Sequence, residues 1–148
     1  MKSRVSVNQA VKFHGHLGPY LVLGILLGEA ALKKLKAKKY FGIMVKVWGA
    51  TDKPKSCLID GLQLATGATY GKGNIENNPG SRIKILARNP ENKQEIKMYL
   101  KEWLIQKLDS LKGHIKSEQF AKSLYKTNPM KIFELTPMTH DPIWRFQD

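Results

Sequence analysis

The chain has 148 residues, one cysteine and a formal net charge of +13, with 25 lysines and arginines against 12 acidic residues. This length suits one domain, so we expect a single domain over residues 1–148. One cysteine excludes a disulfide within the chain, and no apolar run reaches the roughly 18 residues that a membrane helix needs. The segment "MKSRVSVNQA" lacks the apolar core of a secretory signal, and we therefore expect a cytoplasmic protein.

The excess of positive charge favours anionic partners but does not select one. The basic residues are spread along the chain and are mostly lysines. No signature of an RNA-recognition motif, a zinc finger or a helix-turn-helix is present in the sequence. We therefore expect a lysine-rich solvated surface rather than a dedicated nucleic-acid site.

The first long helix is predicted to begin at Gly18 and Pro19, because proline suits the first helical position. Apolar residues then follow helical spacing to Leu35, and the lysines of residues 33–39 end the helix. Gly24 and Gly28 lie one turn apart, which predicts that another backbone approaches the helix closely there.

Strand and helix patterns alternate in the middle of the chain. The segment "YFGIMVKVWGA" (40–50) predicts a strand with Phe41, Ile43, Val45 and Val47 on one face. "SCLIDGLQLATG" (56–67) predicts a helix with Ser56 as its N-cap and Gly67 as its stop. "SRIKILAR" (81–88) predicts a second strand.

Residues 90–113 are predicted to form one amphipathic helix, with its inward face made by Ile96, Leu100, Trp103, Ile105 and Leu108. A short helix near 117–125 and a strand near 131–135 are predicted to follow. The tail "THDPIWRFQD" (139–148) carries apolar residues that we expect to pack on the body or on a partner subunit. Together these elements predict a compact α+β domain with one mixed sheet and additional C-terminal helices.

Two of the four histidines, His14 and His16, flank one glycine just before the predicted helix. In an extended segment, residues two apart point to the same side, so both rings would face one ion. Imidazole is a good zinc ligand, but two histidines fill only half of a tetrahedral site. The alternative is a pair of ordinary loop histidines. His114 and His140 have no partner at ligand spacing, and we expect each to be a surface or packing residue.

Cys57 falls in the first turn of a predicted helix, where unpaired N–H groups favour the thiolate. Asp60 lies three residues on, which places it on the same helix face. A cysteine and a carboxylate at this spacing complete a His/Cys/Asp metal site. The alternative is a cysteine that only packs in the core.

The segment "TGATYGKGN" (66–74) is rich in glycine around Lys72. It lacks the spacing of a phosphate-binding P-loop, because three residues rather than four separate Gly67 from Gly71 and no serine or threonine follows the lysine. No nucleotide cofactor is therefore expected. Two interpretations fit the pattern. The turn holds an anion through its N–H groups and Lys72, or it only needs the backbone dihedrals that glycine allows.

Read together, "FHGHLGPYLVLG" and "CLIDGLQLATGATYGKGNI" resemble the FmdE family, which is named for a component of formylmethanofuran dehydrogenase. Members share a Phe-His-Gly-His-x-Cys-Pro-Gly segment and a second segment from Cys-x-x-Asp to Gly-Lys-Gly-Asn. The resemblance covers residues 11–33 and 56–75. It implies an α+β fold of helix, strand, helix and further strands, and a homodimer.

The resemblance also implies a metal site that draws on the His-Gly-His segment and on cysteines. The matching metal ligands in this chain are His14, His16 and Cys57. The polar surround that the resemblance implies consists of Asp60, Gln63, Thr66, Lys72 and Asn74. One divalent ion is expected, with zinc favoured over iron.

This chain is depleted in the family's cysteines, because Gly18 and Ala68 stand at two of those positions and no cysteine-rich zinc ribbon follows. Tyr20 replaces the glycine that usually follows the proline. We therefore expect a metal-binding accessory or enzyme-like protein without a dithiol mechanism. The alternative is a non-catalytic binding protein for an anionic small molecule, a cofactor or nucleic acid on the same scaffold.

Overall fold

The computed structural model describes residues 4–138, and every structural statement below refers to this part of the chain. The elements, in chain order, are α1 (Val7–His14), α2 (Pro19–Leu35), β1 (Met44–Trp48), α3 (Cys57–Thr66), β2 (Ile75–Asn78), β3 (Lys84–Arg88), β4 (Glu95–Leu100), α4 (Glu102–Ser110), α5 (His114–Tyr125) and β5 (Phe133–Met138). Two short 3-10 helices, Tyr40–Gly42 and Pro129–Lys131, connect them. The fold is α+β, as the sequence predicts.

The strands form one mixed five-stranded sheet in the order β2-β1-β3-β4-β5. The neighbours β1 and β2 are parallel, with Val45 opposite Ile75. A parallel pair needs a crossover connection, and α3 supplies it. The other three neighbouring pairs are antiparallel. The predicted mixed sheet is therefore confirmed.

The main hydrophobic core lies between one face of the sheet and the long helix α2. Helix α2 is buried along most of its length, and most of its buried side chains belong to the same cluster as Val45 and Val47 of β1 and Met98 of β4. Among the described residues no helix is both long and apolar enough to cross a bilayer. Helix α2 is the helix that the sequence predicts from Gly18 and Pro19, and it lies in the core.

Helices α2 and α3 approach each other to backbone contact at glycines. A Cβ atom placed on Gly24 would overlap the Leu58 carbonyl, and one placed on Gly28 would lie 2.7 Å from the Ala65 Cβ. On α3, a Cβ on Gly61 would overlap the Leu21 carbonyl. The predicted close approach at Gly24 and Gly28 is confirmed, and Gly61 is its counterpart on the other helix.

The predicted single helix over residues 90–113 is wrong. Residues 95–100 form β4, which pairs with β3 on one side and β5 on the other, and only Glu102–Ser110 is helical. Burial alternates along β4, and Ile96 and Leu100 are buried as strand residues. Trp103 is 49% exposed, so it does not belong to an inward helix face. The edges of β3 and β5 both offer backbone hydrogen bonds to residues 95–100. These bonds favour the extended conformation here, although the residues also fit helical spacing.

Smaller differences concern element ends. Phe41 lies outside β1, in a 3-10 helix, and is 77% exposed. Ser56 precedes α3 as predicted, but its side chain forms no capping hydrogen bond. The sequence patterns do not predict strand β2, and α5 begins at His114 rather than near 117. The tail 139–148, including His140, lies outside the described residues, so its predicted packing stays a prediction.

Candidate functional site

The two histidines of the His-Gly-His segment lie side by side, although the segment is not extended, the one conformation in which the spacing alone would place them on the same side. His14 is the last residue of α1, and Gly15 follows it in the left-handed conformation at φ 102°. The Gly15 N–H donates to the Val11 carbonyl and ends the helix. This turn returns His16 to its neighbour, with 4.7 Å between the two ring centroids.

His14 is held by Asp60 of α3. The Nδ1 atom of His14 lies 2.6 Å from Oδ2 of Asp60, and the histidine side chain is only 10% exposed. A carboxylate only accepts hydrogen bonds, so Nδ1 donates, and in the neutral imidazole Nε2 carries the lone pair. Nε2 is buried and has no hydrogen-bond partner among the described residues. The structure thus places a buried, unpartnered imidazole nitrogen beside His16.

Asp60, which we expected in the polar surround of the site, therefore contacts His14 directly. Its other oxygen, Oδ1, lies 3.5 Å from the Gln63 amide nitrogen. Oε1 of Gln63 in turn accepts from the Tyr70 N–H. Gln63 links the histidine–carboxylate pair to the glycine-rich loop that follows α3.

A cleft of about 910 Å³ opens beside the histidines. It is lined by residues of α1, by the beginnings of α2 and α3, and by α5. His16 and Cys57 both line it, as do Gly18 and Tyr20, which stand where the family has cysteine and glycine. The volume is that of a small-molecule binding site.

The thiol of Cys57 is not activated as we expected from its position at the helix beginning. Partial burial raises the pKa of this thiol, and the nearby negative charge of Asp60 raises it further. Lys53 and the N–H group of Cys57 itself lower the pKa by less. Burial and Asp60 together outweigh Lys53 and the Cys57 N–H group, so the pKa of the Cys57 thiol lies above its ordinary value.

Asp60→Asn should make Cys57 more reactive in chelator-treated protein. Removing the negative charge lowers the thiol pKa, so the thiolate fraction at a given pH rises and alkylation by iodoacetamide becomes faster. The pH midpoint of the alkylation rate should shift downward. Asp52→Asn, which changes an exposed carboxylate in the loop before α3, is the matched control. Equal rates in wild type and Asp60→Asn would contradict this electrostatic assignment.

Thr66 and Asn74, two residues of the expected polar surround, have structural contacts instead. Thr66 is fully buried, and its hydroxyl donates to the Leu62 carbonyl and accepts from the Ala68 N–H. The amide of Asn74 donates to the carbonyls of Tyr40 and Ile43, at 2.6 and 3.2 Å. These bonds hold the end of α3 and the beginning of β1, not the cleft.

Lys72 also lies away from the cleft. Its ammonium group donates to the Thr69 hydroxyl at 3.0 Å and stands 5.8 Å from the centroid of the Phe41 ring. The N–H groups of Lys72 and Gly73 both bond to Thr69 within the loop. Because these donors are used internally, the loop presents few of them to an anion.

His114 is exposed, as expected of a surface residue, and it also lines the cleft together with His16 and Cys57. It is the first residue of α5, and Ser117 and Lys122 of the same helix line the cleft as well. Nothing in the sequence connects residues so far apart, since only the packing of α5 against α2 brings them together.

Across the described residues, no group of three or more histidines, cysteines and acids is gathered at metal-binding distance. His14, His16 and Cys57 thus share one corner of the molecule without forming a closed three-ligand set.

Comparisons with known proteins agree with the resemblance seen in the sequence. A solved structure, that of a tungsten formylmethanofuran dehydrogenase FmdE-like protein from Syntrophus aciditrophicus, is similar with a TM-score of 0.65. The similarity covers 93% of this chain and 72% of that one at 23% identity, and it shows a shared fold.

A curated relative from Archaeoglobus fulgidus, a probable S-adenosyl-L-methionine-binding protein, is 34% identical over 70 residues. The match covers 45% of this chain, which spans only 19% of the relative's length. The family profile described as "FmdE, Molybdenum formylmethanofuran dehydrogenase operon" matches residues 13–136, which include α2, α3, strands β1 to β4 and the first four residues of β5. This chain therefore belongs to the FmdE family.

Proposed function

We propose that this chain, a relative of the FmdE component of formylmethanofuran dehydrogenase, binds one divalent metal ion through His14 and His16. The observation that carries the proposal is the pairing of Asp60 with Nδ1 of His14, together with a buried Nε2 atom that has no partner in the described part of the chain. Buried polar atoms in native proteins are nearly always hydrogen-bonded or bound to an ion. A carboxylate on the far nitrogen is also the usual partner of a metal-binding histidine.

The donor set fits zinc better than iron or a hard cation, because imidazole nitrogen is a preferred zinc ligand. His14 would bind through Nε2, and Asp60 would orient its ring and raise its basicity. Cys57 is available as a further donor from the cleft wall, since metal binding deprotonates a thiol that is otherwise neutral. Gly18 and Ala68 supply no ligand, so the protein itself leaves coordination positions open.

An ion with open positions polarises a bound carbonyl or phosphoryl oxygen, or lowers the pKa of a bound water. The residues of this chain would then perform two tasks. Asp60 keeps the His14 ring in one orientation and one tautomer. The cleft beside His16 admits a ligand of small-molecule size to that corner. This arrangement supports an accessory or enzyme-like metal protein.

Elemental analysis of untagged protein, purified without chelator, tests the proposal. We expect about one equivalent of zinc per chain, removable by a strong chelator and restored by stoichiometric zinc. Protein that retains no zinc or iron after reconstitution and dialysis would overturn the proposal. A matched sample in which the zinc is added to unfolded chain controls for binding unrelated to the fold.

A non-catalytic binding role on the same scaffold is the second candidate, and the volume of the cleft favours it. Because the relative from Archaeoglobus fulgidus carries the name of a probable S-adenosyl-L-methionine-binding protein, that compound is a natural probe. Retention of the probe by chelator-treated protein in equilibrium dialysis would favour a binding protein that needs no metal. Retention only by zinc-loaded protein would favour the metal-dependent role.

A further inference from the structure

The beginnings of two helices, α2 and α5, lie on the wall of the cleft. Their N-cap residues are Gly18 and Gly113, neither of which can supply a capping side chain. Neither helix has an acidic residue in its first turn. Helix α1, by contrast, is closed by a capping box between Ser6 and Gln9. The first-turn N–H groups of α5, and those that follow Pro19 in α2, therefore keep the partial positive charge that attracts anions.

The charged side chains on the cleft wall add to this positive field. Of the described residues that line the cleft, Lys12 and Lys122 are cationic and Glu118 is anionic. Glu118 lies 3.6 Å from Lys122 on the exposed face of α5, where water weakens the pairing. Lys12 lines the cleft from α1. The cleft as a whole favours a negative ligand.

The cleft also has an apolar wall. Val7 and Val11 of α1, together with Leu17 before α2, line it next to the polar groups. A fully hydrated inorganic anion would gain nothing from these side chains. A ligand with a short apolar part attached to its anionic group would bury surface against them.

An observation independent of the helix ends marks the same corner as a binding site. The His14 side chain is nine-tenths buried and its Nε2 atom has no partner among residues 4–138, while its ring contacts that of His16, which lines the cleft. Buried polar atoms in native proteins are nearly always hydrogen-bonded, so this nitrogen offers a contact that a bound group can satisfy. Neither the glycine N-caps nor the lysines account for it.

We propose that the cleft binds a small organic anion, a carboxylate or a phosphate ester, with its charged group at the beginnings of α2 and α5 and its apolar part against Val7, Val11 and Leu17. This inference deepens the proposed function, since it names the class of ligand that would reach the metal corner. It places the anion site at the cleft, not at the Lys72 loop.

Calorimetric titration of chelator-treated and zinc-loaded protein with hexanoate, acetate and inorganic phosphate tests this. Hexanoate should bind more tightly than acetate by about tenfold, because it adds four CH₂ groups that the apolar wall can partly bury. If phosphate binds and hexanoate does not, the site would be assigned to phosphate esters instead of carboxylates. Absence of binding by all three probes at millimolar concentration, in both protein forms, would overturn the inference.

A matched pair of variants locates the anion. Ser117→Asp puts a carboxylate on the cleft side of α5, whereas Gln119→Asp puts the same charge on the same helix away from the cleft. Ser117→Asp should weaken binding of the tightest probe about tenfold or more, since the new charge opposes the helix N-terminus. Gln119→Asp should leave binding within about twofold. Equal losses in both variants would overturn the assignment to the cleft.

Lys12→Gln and Lys116→Gln form a second pair, because only Lys12 lines the cleft. Only Lys12→Gln should weaken binding. The failure of this inference is distinguishable from the failure of the metal proposal. If the protein retains no zinc but binds a probe, the metal proposal fails and the anion site is supported. If the protein retains zinc but binds no probe, the metal proposal is supported and the anion site fails.

Discussion

His14→Ala should lower the zinc content of the purified protein by about tenfold or more, because it removes the buried Nε2 donor. His16→Ala should have a comparable effect, since the two rings lie side by side. The measurement is zinc per chain after dialysis against a competing chelator of known affinity. Far-ultraviolet circular dichroism of each variant establishes that the fold is retained.

The variant Asp60→Asn tests whether Asp60 orients the ligand His14 rather than binding the metal itself. The amide keeps the size of the side chain but loses the charge that favours one tautomer of His14. We expect zinc affinity to fall by about 10- to 100-fold, which is the range for removing such a partner. Asp52→Asn should have no effect. Full zinc retention in both His14→Ala and Asp60→Asn would place the metal elsewhere in the protein.

Gly61→Ala should lower the free energy of unfolding by about 3 kcal/mol or more. A Cβ atom at Gly61 would overlap the Leu21 carbonyl and lie 2.8 Å from the Ile25 nitrogen, both on the backbone of α2. Backbone atoms inside a helix cannot move singly, so α2 and α3 must separate. The intrinsic preference of helices for alanine over glycine, about 1 kcal/mol, is too small to offset that separation.

Urea denaturation of wild type and variant measures this difference. Gly71→Ala is the matched control, because a Cβ atom there meets nothing within 4 Å, and its stability should stay within about 0.5 kcal/mol of wild type. A neutral or stabilising Gly61→Ala would contradict the backbone contact between α2 and α3. Since α3 also carries Cys57 and Asp60, a separated helix pair should lose zinc together with stability.

Local signals in the sequence predict the helices that form the core. Proline at the first position and a continuous apolar face define α2, and Gly67 at its end defines the length of α3. Glycine spacing also predicts the close approach of a second backbone at Gly24. These predictions succeed because each depends on residues within a few positions of one another.

The strand β4 shows where local signals are insufficient. Its apolar residues Ile96, Met98 and Leu100 alternate, but Ile96 and Leu100 also fit one helix face in combination with Leu104 and Leu108. The hydrogen bonds offered by β3 and β5 decide between the two. Neither neighbouring strand is visible from residues 90–113 alone.

The sequence by itself determined the family, the fold class and the residue types available for chemistry at His14, His16 and Cys57. Only the tertiary structure decided what these residues contact. Asp60 meets His14 across 46 positions, and His114 joins the cleft of Cys57 through the packing of α5. The physical reason is that such contacts depend on how helices pack against one another, which no spacing within a short segment encodes.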